Sequence, residues 1–144
     1  EAEIRIQHHR NARREKGFQT AEIYTGMAHS VGTLCCDTAL LECMTNWMAN
    51  EMYSPSGAGK DALGAVKKGI DALCAAVSDL VVVSGDLFCE GLDYGPYTGE
   101  YLENLAEVSR CLSARADLVV ELCCGIPIVH RRNDVGRAWL EKMA

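Results

Sequence analysis

The chain has 144 residues, of which 49% are hydrophobic and 24% are charged, and its formal net charge is −6. This length suits one domain with a single core, and the composition is ordinary for a globular protein. The acidic balance argues against broad nucleic-acid binding, and no apolar run approaches the roughly 18 residues that a membrane span requires. Because the first residues are charged rather than apolar, we expect no secretory signal and a cytoplasmic location.

The predicted elements begin with an exposed, charged helix over residues 1–16, a stretch without glycine or proline. Phe18–Tyr24 alternates apolar and polar residues, which predicts a half-buried strand. Thr38–Cys43, "TALLEC", predicts a buried strand that ends in a carboxylate. A helix is predicted to follow over Thr45–Tyr53, with Thr45 as its N-cap.

The second part of the chain continues the alternation of helices and strands. Apolar residues recur at three- and four-residue steps over Asp61–Ser78, which predicts a helix with one buried face. Leu80–Ser84 predicts a second buried strand, followed by a long glycine-rich loop. A further helix is predicted over Thr98–Ala114. The stretches "LVVELCC" and "IVH" then predict two strands, and a loosely attached helix capped by Asp134 ends the chain.

Strands that alternate with helices of these lengths predict an α/β domain with a mostly parallel sheet covered by helices. In such sheets, ligands bind beyond the carboxyl ends of the strands. Glu42 and Asp86 follow two predicted strands at that edge, where a carboxylate can hold Mg²⁺ through water or accept a proton from a substrate hydroxyl. An acid at a strand end also commonly caps a helix, so both interpretations stay open.

Eight cysteines are present, and none of them forms a C-x-x-C pair. This spacing removes the strongest sequence signal for zinc binding or disulfide chemistry. Most of the cysteines stand within apolar runs such as "DALCAAV", where free cysteine behaves as a small buried hydrophobe. The sequence therefore favours structural cysteines over a thiol-rich metal-binding protein.

The stretch "SGAGKD" at Ser56–Asp61 resembles the end of a phosphate-binding P-loop. The motif G-x-x-x-x-G-K-[ST] requires a glycine where Ser54 stands and a hydroxyl residue where Asp61 stands. An aspartate at the second position would repel phosphate. We therefore predict a loop that leads into a helix cap rather than a phosphate site.

Two adjacent histidines, His8 and His9, lie in the basic run "EIRIQHHRNARRE". On a helix, Arg5, His9 and Arg13 would share one stripe because they are spaced four residues apart. A neutral imidazole there could attack the α-phosphorus of a nucleoside triphosphate, with the guanidinium groups stabilising the phosphate charge. The alternative is a solvated basic helix, and the local pattern alone favours that alternative.

Five blocks resemble, in their order and approximate spacing, the bifunctional adenosylcobinamide kinase / adenosylcobinamide-phosphate guanylyltransferase family of cobalamin biosynthesis. The blocks are "RIQHHR", "FQTAE", "LLECMTNWMANEM", "DLVVVS" and "ADLVVELCCGIPIV", and the similarity covers nearly all of residues 5–130. The resemblance implies a P-loop NTPase (RecA-like) three-layer α/β fold, often assembled as a homotrimer. Such enzymes phosphorylate adenosylcobinamide and then transfer GMP from GTP to that phosphate through a guanylylated histidine.

The resemblance also implies roles for individual residues. The guanylylated histidine of the family falls on His9 of this sequence. The turn after it, which holds the nucleotide, is matched by Arg10, Asn11, Ala12 and Arg13. Glu22 and Glu42 match acidic positions near the guanosine and the metal–phosphate region, and no protein metal ligand is assigned. The implied cofactors are GTP, ATP and Mg²⁺, and the implied substrates are adenosylcobinamide and its phosphate.

Members of this family begin with a strand and a G-G-x-x-S-G-K-S phosphate loop, whereas this sequence begins near the histidine helix. We therefore expect residues 1–130 to form an N-terminally incomplete nucleotide-binding α/β domain, followed by a tail over residues 131–144. A sheet without its first strand would expose an apolar edge, so further residues or another chain are expected to cover it. The alternative function is a non-catalytic, truncated family member that serves as an oligomerisation or nucleotide-sensing module.

Overall fold

The structure, a computed structural model, describes residues 16–88 and 95–143. In chain order, the elements of these residues are α1 (Met27–Ser30), β1 (Thr38–Glu42), α2 (Met44–Tyr53), α3 (Ala62–Ala76), β2 (Asp79–Val83), α4 (Pro96–Arg115), β3 (Leu118–Cys123), β4 (Ile126–Arg132) and α5 (Asp134–Met143). Short 3-10 turns follow α1 and precede α3. The fold is therefore a mixture of helices and strands, in agreement with the predicted α/β class.

Strands β1 and β2 pair in parallel, with Glu42 opposite Val83 at their carboxyl ends. Successive side chains point to opposite faces of a strand, so one face of this pair packs on the helices while the other is exposed. On the exposed face, the neighbouring Leu40 and Val81 keep 44% and 45% of their surface accessible. The side chains that pack against the core are Leu41, Leu80 and Val82.

The hydrophobic core lies where α1, α2, α3 and α4 meet. Its buried residues on α3 recur at three- and four-residue steps, which confirms the amphipathic helix predicted for this segment. The main buried side chains of the core are Met27, Met44, Trp47, Met48, Val66, Ile70, Leu73, Leu105 and Val108.

Gly69 allows the Trp47 ring to pack directly on the backbone of α3. A Cβ at residue 69 would lie 2.6 Å from the Trp47 ring and 3.0 Å from the Met27 Cβ. Because this buried ring would have to shift, we predict that Gly69→Ala lowers the free energy of unfolding by about 1–3 kcal/mol. Gly64 on the same helix is a matched control, since a Cβ there meets nothing within 4 Å.

We expect Gly64→Ala to raise the free energy of unfolding by about 0.5–1 kcal/mol, because alanine restricts the unfolded chain without a clash. Urea unfolding of the two variants beside the unchanged protein measures both effects. Equal effects of the two substitutions would contradict the tight packing of Trp47 on Gly69.

A charged cluster joins α3 to α4. Lys67 Nζ lies 2.9 Å from Glu107 Oε1, and Arg110 Nη2 lies 2.8 Å from Glu107 Oε2. Hydrogen bonds from Lys67 and Arg110 lower the pKa of Glu107 from 4.5 to about 2. The ionised side chain of Glu107 therefore stabilises the folded state, and the protonated side chain does not.

We predict that this cluster contributes to acid denaturation in a defined window. Because the pKa of Glu107 is lower in the folded chain, its contribution is complete above pH 4.5 and is lost as the pH falls towards about 2. Glu107→Gln should flatten the stability curve in that window, and added salt should weaken the effect because the cluster is exposed. The exposed Glu103 of α4 supplies the control variant Glu103→Gln. Circular dichroism measures unfolding as the pH is lowered. If Glu107→Gln loses stability between pH 4.5 and about 2 to the same extent as the unchanged protein, the prediction is refuted.

Strands β3 and β4 form an antiparallel hairpin on which α5 packs. Its turn residues, Cys124 and Gly125, both have positive φ angles of 51° and 83°, as a type I′ turn requires. Strands joined by two residues can pair only in antiparallel fashion. The described residues therefore form one parallel pair and one antiparallel hairpin, not the single, mostly parallel sheet that we predicted.

One other prediction about local structure is wrong, and a second lies outside the described residues. Phe18–Tyr24 forms no strand and is mostly exposed. Its alternating pattern has the period of a strand, but no strand among the described residues supplies the backbone partner that a strand requires. The helix predicted over residues 1–16 falls almost wholly outside the described residues, because the description begins at Lys16.

Two predicted helix caps are also wrong. Helix α2 begins one residue earlier than expected, so Cys43 rather than Thr45 occupies its N-cap position. At the start of α5, the Asn133 Oδ1 accepts a hydrogen bond of 2.9 Å from the backbone N–H of Gly136. Asn133 thus caps α5 in place of Asp134. The predicted boundary between a domain over residues 1–130 and a tail over residues 131–144 stays a prediction.

The cysteines are more exposed than predicted. Of the seven within the described residues, all are free, two are half-buried and five are exposed; the exposed ones are Cys35, Cys36, Cys74, Cys123 and Cys124. Cys74 stands in an apolar run but lies on the solvent side of α3. Cys123 and Cys124 lie at the exposed end of the hairpin. The prediction of buried structural cysteines is therefore wrong for these five.

Candidate functional site

The candidate site lies at the carboxyl ends of β1 and β2. Because the two strands are parallel and in register, Glu42 ends β1 beside Val83, which ends β2. Asp86 follows β2 by three residues, and both acidic side chains are exposed. The structure thus brings Glu42 and Asp86 to the same edge of the sheet, where the sequence places them.

The first turn of α2 forms one wall of this edge. The Cys43 Sγ and Thr45 Oγ1 atoms lie 2.8 Å apart. The segment after β2 passes close by, because a Cβ at Gly85 would be 3.4 Å from the Thr45 Cγ2. Small residues at 84 and 85 therefore allow the two chain segments after β1 and β2 to approach each other.

Aromatic side chains fix α4 beside this first turn. The Tyr101 hydroxyl donates a hydrogen bond of 3.1 Å to the carbonyl oxygen of Thr45, and the ring centroids of Tyr101 and Tyr53 are 6.4 Å apart. Burial raises the pKa of Tyr101, and the nearby Cys43 and Tyr53 raise it further. Tyr101 is therefore a neutral hydrogen-bond donor at physiological pH, and it supports the wall of the site.

The remaining acidic candidates have local partners. Asp86 Oδ1 accepts a hydrogen bond of 3.2 Å from the backbone N–H of Phe88, which shapes the turn after β2. Glu22 lies in the irregular segment before α1, is exposed, and accepts a hydrogen bond of 3.3 Å from the Tyr24 hydroxyl. The nucleotide-binding candidates of the basic run, His9, Arg10, Asn11, Ala12 and Arg13, lie outside the described residues.

Glu51 is a buried carboxylate that no sequence motif singled out. Its surface is 2% exposed, and its Oε1 atom accepts hydrogen bonds from the Gly26 N–H (2.8 Å) and the Trp47 Nε1–H (3.1 Å). Its Oε2 atom accepts a hydrogen bond of 3.1 Å from the Ala58 N–H. Glu51 thus fastens the turn before α1 and the loop before α3 to helix α2.

A signal for Glu51 exists in the sequence. Met44, Trp47, Met48 and Glu51 follow the i, i+3, i+4, i+7 pattern of a buried helix face. A carboxylate on such a face requires hydrogen-bond donors, because an unpaired charge in the core is costly. The position of Glu51 within this pattern would therefore have predicted a structural clamp.

Within residues 16–88 and 95–143, no group of three or more histidine, cysteine, aspartate or glutamate side chains is arranged to hold a metal ion. Likewise, none of the helices in that part of the chain is long and apolar enough to cross a membrane. The strand edge therefore offers individual carboxylates rather than a protein cage for a metal.

In open α/β sheets, small molecules bind beyond the carboxyl ends of the parallel strands, and Glu42 and Asp86 lie at that edge of the β1–β2 pair. The chain belongs to the cobinamide kinase / cobinamide phosphate guanyltransferase family, whose family model matches residues 1–130. This is a family of transferases, and its assignment confirms the resemblance found in the sequence. None of the curated proteins matches the chain.

Proposed function

We propose that this chain accepts GMP from GTP on His9 and passes it to cobinamide phosphate. The observation that carries the proposal is the family match over residues 1–130, which includes the whole of "RIQHHR" and both strands of the candidate site. The family is named for a guanyltransferase activity, and the resemblance of "RIQHHR" to the family supports His9 as the nucleotide-accepting residue.

The proposed reaction has two balanced steps. In the first, a nitrogen lone pair of His9 forms a bond to the α-phosphorus of GTP, and pyrophosphate leaves with the electrons of the broken P–O bond. In the second, a phosphate oxygen of cobinamide phosphate attacks the same phosphorus, and the P–N bond breaks to release His9. One phosphoanhydride bond of GTP is broken and one phosphoanhydride bond of the product is formed, so the transfer requires no further source of energy.

The other residues of the basic run would hold the nucleotide. The guanidinium groups of Arg10 and Arg13 would neutralise charge on the phosphate oxygens as the bond to His9 forms. Asn11 and Ala12 complete the same turn, and Glu22 would lie near the guanosine. These assignments follow from the resemblance to the family, position by position.

Glu42 would contribute at the metal–phosphate end of the substrate. A carboxylate at this edge can accept hydrogen bonds from the water shell of Mg²⁺ bound to the nucleotide. When bound, Mg²⁺ would neutralise charge on the leaving pyrophosphate. Asp86, three residues after the neighbouring strand, stands at the same edge and could share that water shell.

The proposal extends to the kinase half of the family's description and to the architecture. A kinase step would move the γ-phosphoryl group of ATP or GTP to the hydroxyl of cobinamide.

We further propose a P-loop NTPase (RecA-like) arrangement with helices on both faces of the sheet and a trimeric homo-oligomer. The exposed apolar face with Leu40 and Val81 supports a further layer, because such a face is normally covered in α/β proteins.

A transfer experiment tests the proposed function. The protein is incubated with Mg²⁺ and GTP labelled at the α-phosphate, freed of nucleotide, and then mixed with cobinamide phosphate. We expect an acid-labile, alkali-stable label on the protein that moves to the corrinoid, whereas GTP labelled at the γ-phosphate should leave no such label. A protein that takes up no label from α-labelled GTP would refute guanylyl transfer and favour the non-catalytic alternative.

A further inference from the structure

A groove of about 460 Å³ lies between the segment 26–29 and the first half of α3. Gly64 and Ala65 line it. Glycine has no side chain and alanine has only a methyl group, so these two residues leave the space open. Lys60, in the 3-10 turn before α3, and Lys68, on α3, both line the groove. None of the residues that line the groove belongs to the strand-edge site.

The two lysines of the groove have no carboxylate partner within the part of the chain that the structure describes. Some of the other cations there are paired: Lys67 and Arg110 bind Glu107, and Arg115 binds Asp71. Lys60 and Lys68 therefore keep their charge available, although the chain as a whole carries a net charge of −6. Unpaired cations that share one concave surface attract anions more strongly than the same charges on a flat surface.

The other polar residues of the groove set the kind of anion that fits. His29 lines the groove and can donate an N–H even when its ring is neutral. Asp61 also lines it, and its negative charge offsets one of the two positive charges of the lysines. A ligand with a single negative charge would gain little here, whereas phosphate groups offer several charges and many acceptor oxygens to lysine.

We propose that this groove binds the phosphate groups of a phosphorylated small molecule, at a site separate from the strand edge. The groove is not a P-loop, which Asp61 argues against: Lys60 and Lys68 bind the phosphate oxygens from its walls, His29 donates a further hydrogen bond, and Asp61 limits the affinity. The phosphate groups come either from the polyphosphate of a nucleotide or from a phosphate ester of a second substrate.

Tripolyphosphate is the first probe, with binding measured by isothermal titration calorimetry at low ionic strength. We expect the double variant Lys60→Gln/Lys68→Gln to weaken binding by about tenfold or more, and Asp61→Asn to strengthen it. Lys67→Gln is the matched control, because Lys67 lies next to Lys68 but binds Glu107. No binding by the unchanged protein, or an equal loss in Lys67→Gln, would overturn the proposal.

Two further titrations identify the source of the phosphate. If the double variant weakens the binding of GTP, the groove takes a nucleotide polyphosphate in addition to the phosphates assigned to Arg10 and Arg13; if it weakens only cobinamide phosphate, the groove takes the ester. If neither ligand is affected, the proposal is overturned. The variants of Lys60, Asp61 and Lys68 should unfold at the temperature of the unchanged protein, since these three side chains are exposed. Guanylyl transfer is measured separately with α-labelled GTP, so labelling without tripolyphosphate binding refutes the groove alone, and binding without labelling refutes the proposed transfer alone.

Discussion

His9→Ala is expected to reduce labelling of the protein by α-labelled GTP to background. In the proposed mechanism the imidazole of His9 forms the covalent bond to phosphorus, and alanine offers no nucleophile in its place. The label is counted after the protein is separated from free nucleotide under alkaline conditions, which preserve a phosphoramidate.

The adjacent His8 provides a matched control. His8→Ala removes the same imidazole from the neighbouring position of the basic run, and we expect it to keep most of the label. Binding of GTP, measured separately, should survive in both variants, since the phosphate contacts are assigned to Arg10 and Arg13. Equal labelling of His9→Ala and the unchanged protein would contradict the assignment of His9.

Glu51→Gln is expected to lower the free energy of unfolding by about 2–4 kcal/mol. The two carboxylate oxygens of Glu51 accept three N–H hydrogen bonds in a buried position. Glutamine has nearly the same shape, but its NH₂ group would face an N–H donor at one of these places. At least one buried donor would lose its partner, and the turn before α1 or the loop before α3 would be released.

Urea unfolding measures this loss, with Glu100→Gln as the control. Glu100 is an exposed glutamate of α4, so the same chemical change there should alter stability by no more than about 0.5 kcal/mol. The Glu51 variant should also bind tripolyphosphate more weakly, because Gly26 lines the groove and is held by Glu51. A Glu51→Gln protein as stable as the control would contradict the role of Glu51 as a clamp.

The sequence predicts those parts of the fold that depend on contacts close in the chain. The repeating apolar residues of α3 and the short apolar runs of β1 and β2 were sufficient to place these elements within two residues. Phe18–Tyr24 has an equally regular pattern but forms no strand, because a strand also depends on a partner that is distant in sequence. The exposure of Cys74 has the same origin, since it depends on which side of α3 the rest of the molecule covers.

The candidate site is predicted only in part. Glu42 could be placed because its position at a strand end is a local feature, and parallel pairing then brings Asp86 to the same edge. The contacts of Glu51 with Gly26 and Ala58 could not be placed, because they join segments on opposite sides of α2 in the sequence. The groove near Lys60 and Lys68 depends likewise on how α1 packs against α3.

The most direct measurement is identification of the guanylylated residue by peptide mapping. The protein is treated with GTP and Mg²⁺, digested under alkaline conditions, and analysed by mass spectrometry with fragmentation of the peptide that contains "RIQHHR". Our account predicts one guanylyl group, attached to His9, that disappears when cobinamide phosphate is added. A guanylyl group on His8 or on any residue outside this run, or a fully unmodified peptide, would contradict it.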